Sequence, residues 1–195
     1  MNTVPSSHSY RGKASPQRGF TLVELLVVLS VTGILIAVGL PQLNQLSASR
    51  ASESHRALLA STVRFARSEA VKRGMPVSIC PSLDPEAAGG PACNGGANDW
   101  ASGWVVFADL NGLGVIEAGD RVIRVQAPLS NSGGIQSVGG NTLSFFPTGI
   151  AIGGQRTMNF LPALGATSPY YNSSAKRLCV DNTGSTRPAE YTEAC

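Results

Sequence analysis

Apolar and polar positions divide the chain into three stretches with different periods. Residues 1–19 are polar and basic, contain no acidic residue and show no period. At Phe20 the composition changes abruptly to FTLVELLVVLSVTGILIAVGL, 21 residues that carry one charge, Glu24. At a rise of 1.5 Å per residue, about 20 apolar residues cover a hydrocarbon layer of ~30 Å, so residues 20–41 read as a transmembrane helix. The basic flank on its N-terminal side puts that end in the cytoplasm and the rest of the chain across the membrane.

The second stretch keeps a helical period. Pro41 would ordinarily end or kink a helix, yet residues 42–73 contain no Gly and no further Pro. Leu59, Val63, Ala66 and Ala70 recur at i, i+4, i+7 and i+11, with Arg56, Arg64, Arg67 and Lys72 largely around the other side. This pattern predicts an amphipathic helix that covers a core. We read one long helix bent at Pro41 and stopped by Gly74-Met75-Pro76.

From residue 77 the period shortens to β-type runs punctuated by Gly, Pro, Asn and Ser. The expected strands are 77–80, 104–108, 121–126, 142–146, 157–161 and 178–181, with Gly-rich connections at 132–140 and 149–154. The fold class that follows is α+β: a long N-terminal helix packed on an antiparallel β-sheet or small β-sandwich. The organisation is then a polar leader at 1–19, a membrane helix at 20–41, an amphipathic half at 42–73 and a β-rich head at 77–195.

Charge adds little beyond the anchor. The 15 Lys and Arg exceed the 12 Asp and Glu by three, and Arg11, Lys13 and Arg18 of the leader account for that excess. A neutral body makes no case for nucleic acid as the main partner. The four cysteines, Cys80, Cys93, Cys179 and Cys195, all follow the apolar run and form no CxxC motif. That favours disulfides in an oxidising compartment over a metal or redox centre. Three pairings are formally possible, and the simplest is local, Cys80 with Cys93 and Cys179 with Cys195. Four separate buried thiols are the alternative.

The informative motif is Arg18-Gly19-Phe20-Thr21-Leu22-Val23-Glu24. A plain anchor has no reason to keep a carboxylate four residues into its apolar run, since an ionised Glu at mid-membrane costs about 2–3 kcal/mol or more. If the chain is cut between Gly19 and Phe20, Glu24 becomes the fifth residue, one turn from a new α-amine. The amine of one subunit can then pair with the carboxylate of its neighbour.

Gly-Phe-Thr-Leu-x-Glu-Leu-Leu after a short basic leader resembles the signal of type IV prepilins and type II secretion pseudopilins. The resemblance covers roughly residues 18–46. It implies cleavage after Gly19 by a prepilin peptidase, N-methylation of Phe20, assembly directed by Glu24 and a helix bend at Pro41. It also implies residence in the bacterial inner membrane with the head in the periplasm, and packing against other pilins or pseudopilins in a filament. Trp104-Val105-Val106-Phe107-Ala108-Asp109, followed by Asn111, Gly114, Asp120 and Val122-Ile123, resembles the central hairpin of GspH/FimT-type minor members. The competing readings are an ordinary signal peptide, for which Ala37-Val38-Gly39 imitates a cleavage site, and a signal-anchored periplasmic adhesin or binding domain that never polymerises.

Three further patterns carry less weight. Asp109-x-Asn111-x-Leu113-Gly114-x-Ile116-Glu117-x-x-Asp120 echoes an EF-hand loop, but Leu113 supplies no ligand and Asp120 is shorter than the usual Glu. We read it as a polar hairpin turn. Some FimT-type proteins bind DNA through a C-terminal Gly-Arg-x-Arg turn. Here the matching stretch is Gly184-Ser185-Thr186-Arg187, which with Lys176 and Arg177 leaves a weak phosphate footprint. The histidines, His8 in the leader and His55 on the helix surface, offer no general base with partners. No enzyme motif, cofactor site or metal cluster is expected.

Overall fold

The computed structural model describes residues 19–195. The leader reading, with His8, Arg11, Lys13 and Arg18, lies outside the described residues. The chain divides into two compact units, one ending at Leu40 and the other spanning Pro41–Cys195.

Helix α1, Leu22–Arg73, contributes to both units. Thr21 starts it: its hydroxyl accepts the backbone N–H of Glu24 at 3.2 Å, as an N-cap does for the third residue of a helix. Gly74 ends it with φ +66°, its N–H bonded to the Ala70 carbonyl at 3.0 Å. The helical assignment runs through Pro41 without interruption.

In the first unit the apolar side chains of α1 are exposed on every face, from Leu22 and Val23 through Leu35 and Ile36. A helix apolar all round and uncovered among the described residues suits an apolar solvent. In the second unit burial becomes one-sided, and Leu59, Val63, Ala66 and Ala70 are fully buried, as the period predicts.

Nine strands follow. Strands β1 (Val77–Pro81), β2 (Trp104–Ala108), β3 (Arg121–Gln126), β5 (Leu143–Phe145) and β6 (Ala151–Ile152) form one antiparallel sheet in the order β3-β2-β1-β5-β6. Strands β4 (Ser132–Val138), β7 (Arg156–Pro162), β8 (Lys176–Val180) and β9 (Thr186–Glu190) form a second, in the order β4-β7-β8-β9. A 3-10 turn at Trp100–Ser102 and the short helix α2, Tyr171–Ser174, complete the elements.

One core joins the helix to both sheets. Leu59, Val63 and Ala66 meet Ile79, Trp104, Val106 and Phe145 of the first sheet, and Ile135, Met158, Phe160, Leu178 and Val180 of the second. Strand β2 is buried throughout because both its faces are covered. Trp104 and Val106 enter the main core, while Val105 and Phe107 lie under Cys80, Cys93 and Ile116 on the far face.

The structure corrects the sequence reading in several places. Residues 132–138, read as a Gly-rich connection, form edge strand β4. The glycines permit the strand rather than break it. A Cβ on Gly133 would collide with the Pro162 carbonyl, Gly134 sits at φ +123°, and the β4–β7 register shifts between Ser132 and Gly134. Within the expected connection at 149–154, Ala151 and Ile152 pair with β5. Strand β9 was not foreseen; Pro188 is tolerated there because β9 is an edge strand. The remaining strand ends shift by up to two residues, the largest shift placing β8 at 176–180 instead of 178–181.

Candidate functional site

The segment 19–24 leads directly into the uncovered apolar helix. Gly19 is exposed and a side chain there would meet nothing within 4 Å. Phe20 is 82% exposed. Glu24 is the one charged residue between Phe20 and Leu40. Its N–H is taken by Thr21, and its carboxylate has no hydrogen-bond or ionic partner among the described residues. The Thr-x-x-Glu spacing is a capping-box signature that the sequence reading overlooked; it explains why a helix begins here but leaves the carboxylate group unspent. Ser30 and Thr32 hide their hydroxyls by bonding to the Leu26 and Val28 carbonyls, at 2.8 and 2.7 Å. Among the described residues, Glu24 thus has a charged group on this surface that is left unsatisfied.

Disulfides join Cys80 to Cys93 and Cys179 to Cys195, with Cα atoms 5.4 and 5.5 Å apart. The first closes the loop that covers Phe107. The second fastens the last residue of the chain to β8.

The EF-hand echo proves to be a turn that consumes its own ligands. Asp109 is fully buried, and its carboxylate accepts from Gly112 N and Gly114 N at 2.8 Å each and from Ser78 Oγ at 2.7 Å. Asp120 accepts from the N–H groups of Leu110 and Glu117, both at 3.0 Å. The Asn111 amide donates to Glu117 at 2.6 Å. Asp109 and Asp120 point at backbone donors, and Glu117 at the Asn111 amide.

The three candidate phosphate-binding cations are likewise engaged. Lys176 pairs with Glu190 at 2.9 Å. Arg177 donates to Asn159 at 2.9 Å and to the Glu193 carbonyl, and lies 5.4 Å from the Tyr191 ring centre. Arg187 reaches the Ala194 carbonyl at 3.2 Å and Glu193 at 3.5 Å. Together they hold residues 190–194 against the second sheet.

His55, read from sequence as a helix-surface residue, is buried, at 9% exposure. The connection from β3 to β4 crosses that side of α1, where Asn131 bonds to Ser47 at 3.2 Å and the Ser130 backbone hydrogen-bonds to the imidazole. Burial holds the imidazole below its ordinary pKa, partly offset by that backbone bond.

Comparison with known proteins gives a consistent picture. The family model described as type II transport protein GspH matches residues 57–184. A second, described as the prokaryotic N-terminal methylation motif, matches residues 14–40. The pilin-like protein PilA1 of Thermus thermophilus is 41% identical over 76 residues, 38% of this chain and 45% of that protein. The chain therefore spans under half the length of that curated relative. The type IV minor pilin FimU of Pseudomonas aeruginosa shares the fold, with a TM-score of 0.52 at 18% identity over 74% of this chain and 92% of that one. The minor pseudopilin EpsH from the type 2 secretion system of Vibrio cholerae gives a TM-score of 0.47 at 12% identity, over 73% and 98% of the two chains.

Proposed function

This chain belongs to the GspH family of type II transport proteins, and on that premise we propose that it works as a minor pilin or pseudopilin, a structural subunit that joins a filament through its N-terminal helix. Its chemistry is that of a substrate, not a catalyst. A prepilin peptidase cuts after Gly19, the new Phe20 amine is methylated, and residues 20–41 hold the chain in the inner membrane with its N-terminus cytoplasmic and its head periplasmic. Pro41 supplies a bend within the helix. Neighbouring pilins or pseudopilins are its partners, by helix–helix packing.

The observation that carries this reading is Glu24. Its carboxylate lies one turn from Phe20 on a helix that is otherwise apolar and exposed, with no partner among the described residues. An intramembrane carboxylate needs a counter-charge, and the Phe20 amine of an adjacent subunit supplies one in the same membrane layer. In the membrane interior a carboxylate without a partner costs so much that the contact favours subunits in register over free subunits.

The test uses Glu24→Val in full-length protein. Removing the charge eases membrane insertion by about 1–3 kcal/mol, and N-terminal sequencing should still read Phe20. What should be lost is crosslinking to the major subunit and recovery in sheared filaments or in the assembled tip complex. Wild-type crosslinking by the Glu24→Val protein would exclude the assembly role. A mature N-terminus at Leu40 would instead support the ordinary signal-peptide reading.

A further inference from the structure

The flank of α1 between Arg64 and Lys72 belongs to neither the core nor the membrane helix, yet it is not a plain solvated face. A groove of about 450 Å³ runs along it, lined by Arg64, Arg67, Ser68, Val71 and Lys72. Val71 is 54% exposed. The turn from β5 to β6 lies against it, because a Cβ on Gly149 would stand 3.4 Å from Val71 Cγ2. That turn in turn exposes Phe146 and Ile150. Apolar side chains gathered beside a concave, cation-rimmed surface have the composition of a recognition patch.

Charge decides what fits. Lys72 meets Glu69 at 3.4 Å, but Glu69 is shared with Arg73 at 2.8 Å. Arg64 and Arg67 meet no carboxylate within ion-pair distance among the described residues. Arg64 reaches Thr186 Oγ1 at 3.4 Å and Arg67 reaches the Gly149 carbonyl at 3.0 Å. Asp181, held by Thr183 and Ser185 and within electrostatic reach of Arg67, stays ionised and offsets part of this charge. Asp181 and Glu69 together do not match Arg64, Arg67, Lys72 and Arg73. The groove therefore keeps positive charge around an apolar centre.

We propose that this groove receives an acidic segment of a different subunit, in which carboxylates flank an apolar side chain. The carboxylates would face Arg64, Arg67 and Lys72, and the apolar side chain would cover Val71 and Ile150. A small free anion would leave that apolar surface in water, and a nucleic-acid backbone has nothing to place on it. The proposal rests on the assembly reading above and adds to it a contact outside the membrane.

The experiment places a photo-crosslinking amino acid at Val71 of the full-length chain in cells that make the complete assembly, with the same probe at Leu29 of the apolar helix as a second arm. Crosslinks at Leu29 report the assembly itself. The groove predicts an additional Val71 adduct, whose peptide, read by mass spectrometry, comes from another subunit and holds at least two Asp or Glu residues. Arg64→Glu with Lys72→Glu should lower the Val71 adduct about fivefold or more, since two favourable charge pairs become repulsive, and leave the Leu29 adduct unchanged.

Loss of both adducts in the wild type would overturn the assembly reading. Loss of the Val71 adduct alone, with Leu29 still crosslinking, would overturn the groove. The groove is equally overturned if the Val71 adduct comes from a second copy of this chain, whose exposed Leu83, Asp84 and Glu86 offer similar chemistry, or from nucleic acid.

Discussion

Arg67 Nε donates to the Gly149 carbonyl at 3.0 Å, which ties the helix to a turn of the first sheet where a turn of the second packs alongside. Gly149 lies in the β5–β6 turn of the first sheet. Gly184, in the β8–β9 turn of the second, sits at φ +75°, where a Cβ would come 2.6 Å from the Gly149 carbonyl and 3.2 Å from Arg67 Cδ. Three elements converge where only glycine fits.

Arg67→Ala should therefore destabilise the protein by about 1–3 kcal/mol, the cost of a charged donor removed from a part-buried carbonyl. Gly184→Ala should be at least as harmful, because it adds left-handed strain to a steric clash. Both follow from denaturant unfolding in detergent, monitored by the fluorescence of Trp100 and Trp104, which are buried in the shared core. An Arg67→Ala midpoint equal to wild type would show that the link contributes nothing.

Asp109→Ala should be costlier, about 3–5 kcal/mol, because three donors converge on one buried carboxylate and lose it together. Calcium should leave the wild-type thermal midpoint unchanged, since these oxygens are already occupied. Differential scanning calorimetry checks both, and a rise in midpoint with calcium would reverse our reading of the loop.

His55 makes stability depend on pH in a defined direction. Its folded pKa lies below the ordinary value of 6.5. The unfolded chain therefore binds the proton first, and its contribution is present above about pH 6.5 and lost as pH falls through the folded pKa. Urea midpoints should fall between roughly pH 7.5 and 5.5, and His55→Gln should flatten that slope while leaving the steeper carboxylate-driven loss below about pH 4. A slope unchanged by the substitution would remove His55 as its source.

Opening the Cys179–Cys195 bridge with Cys195→Ser should lower stability by about 3 kcal/mol through the entropy of a loop spanning 16 residues. It should also release the tail that Arg177 and Arg187 hold, seen as faster amide exchange in residues 190–194 with β1 and β2 unaffected. Uniform acceleration across the head would instead indicate global loosening.

Legibility in the sequence followed the range of the interaction. The α1 stripe was visible because Leu59, Val63, Ala66 and Ala70 obey a local period, and its end was visible because Gly74 takes the left-handed cap. Gly19, Phe20 and Glu24 stood out as a contiguous motif. Strand β4 was not legible: Ser132-Gly133-Gly134 reads as a linker until Pro162 comes alongside. Neither was His55, which is met by the Ser130 backbone from far along the chain. Asp109 carried the right spacing for a ligand, and only its inward direction shows that the backbone claims it.

Leu59 and Val180 share one core although more than a hundred residues lie between them, and this sets the order in which the head can close. In chain order the helical stripe comes first and stays open until β8, more than a hundred residues later, arrives to close it. Contacts this distant make folding slow and leave the waiting stripe accessible to chaperones and proteases. A chain truncated before β8 would remain in that open state whatever happens at its N-terminus. Completion of the head thus acts as a test of length: only a chain that reaches β8 can bury its helical stripe.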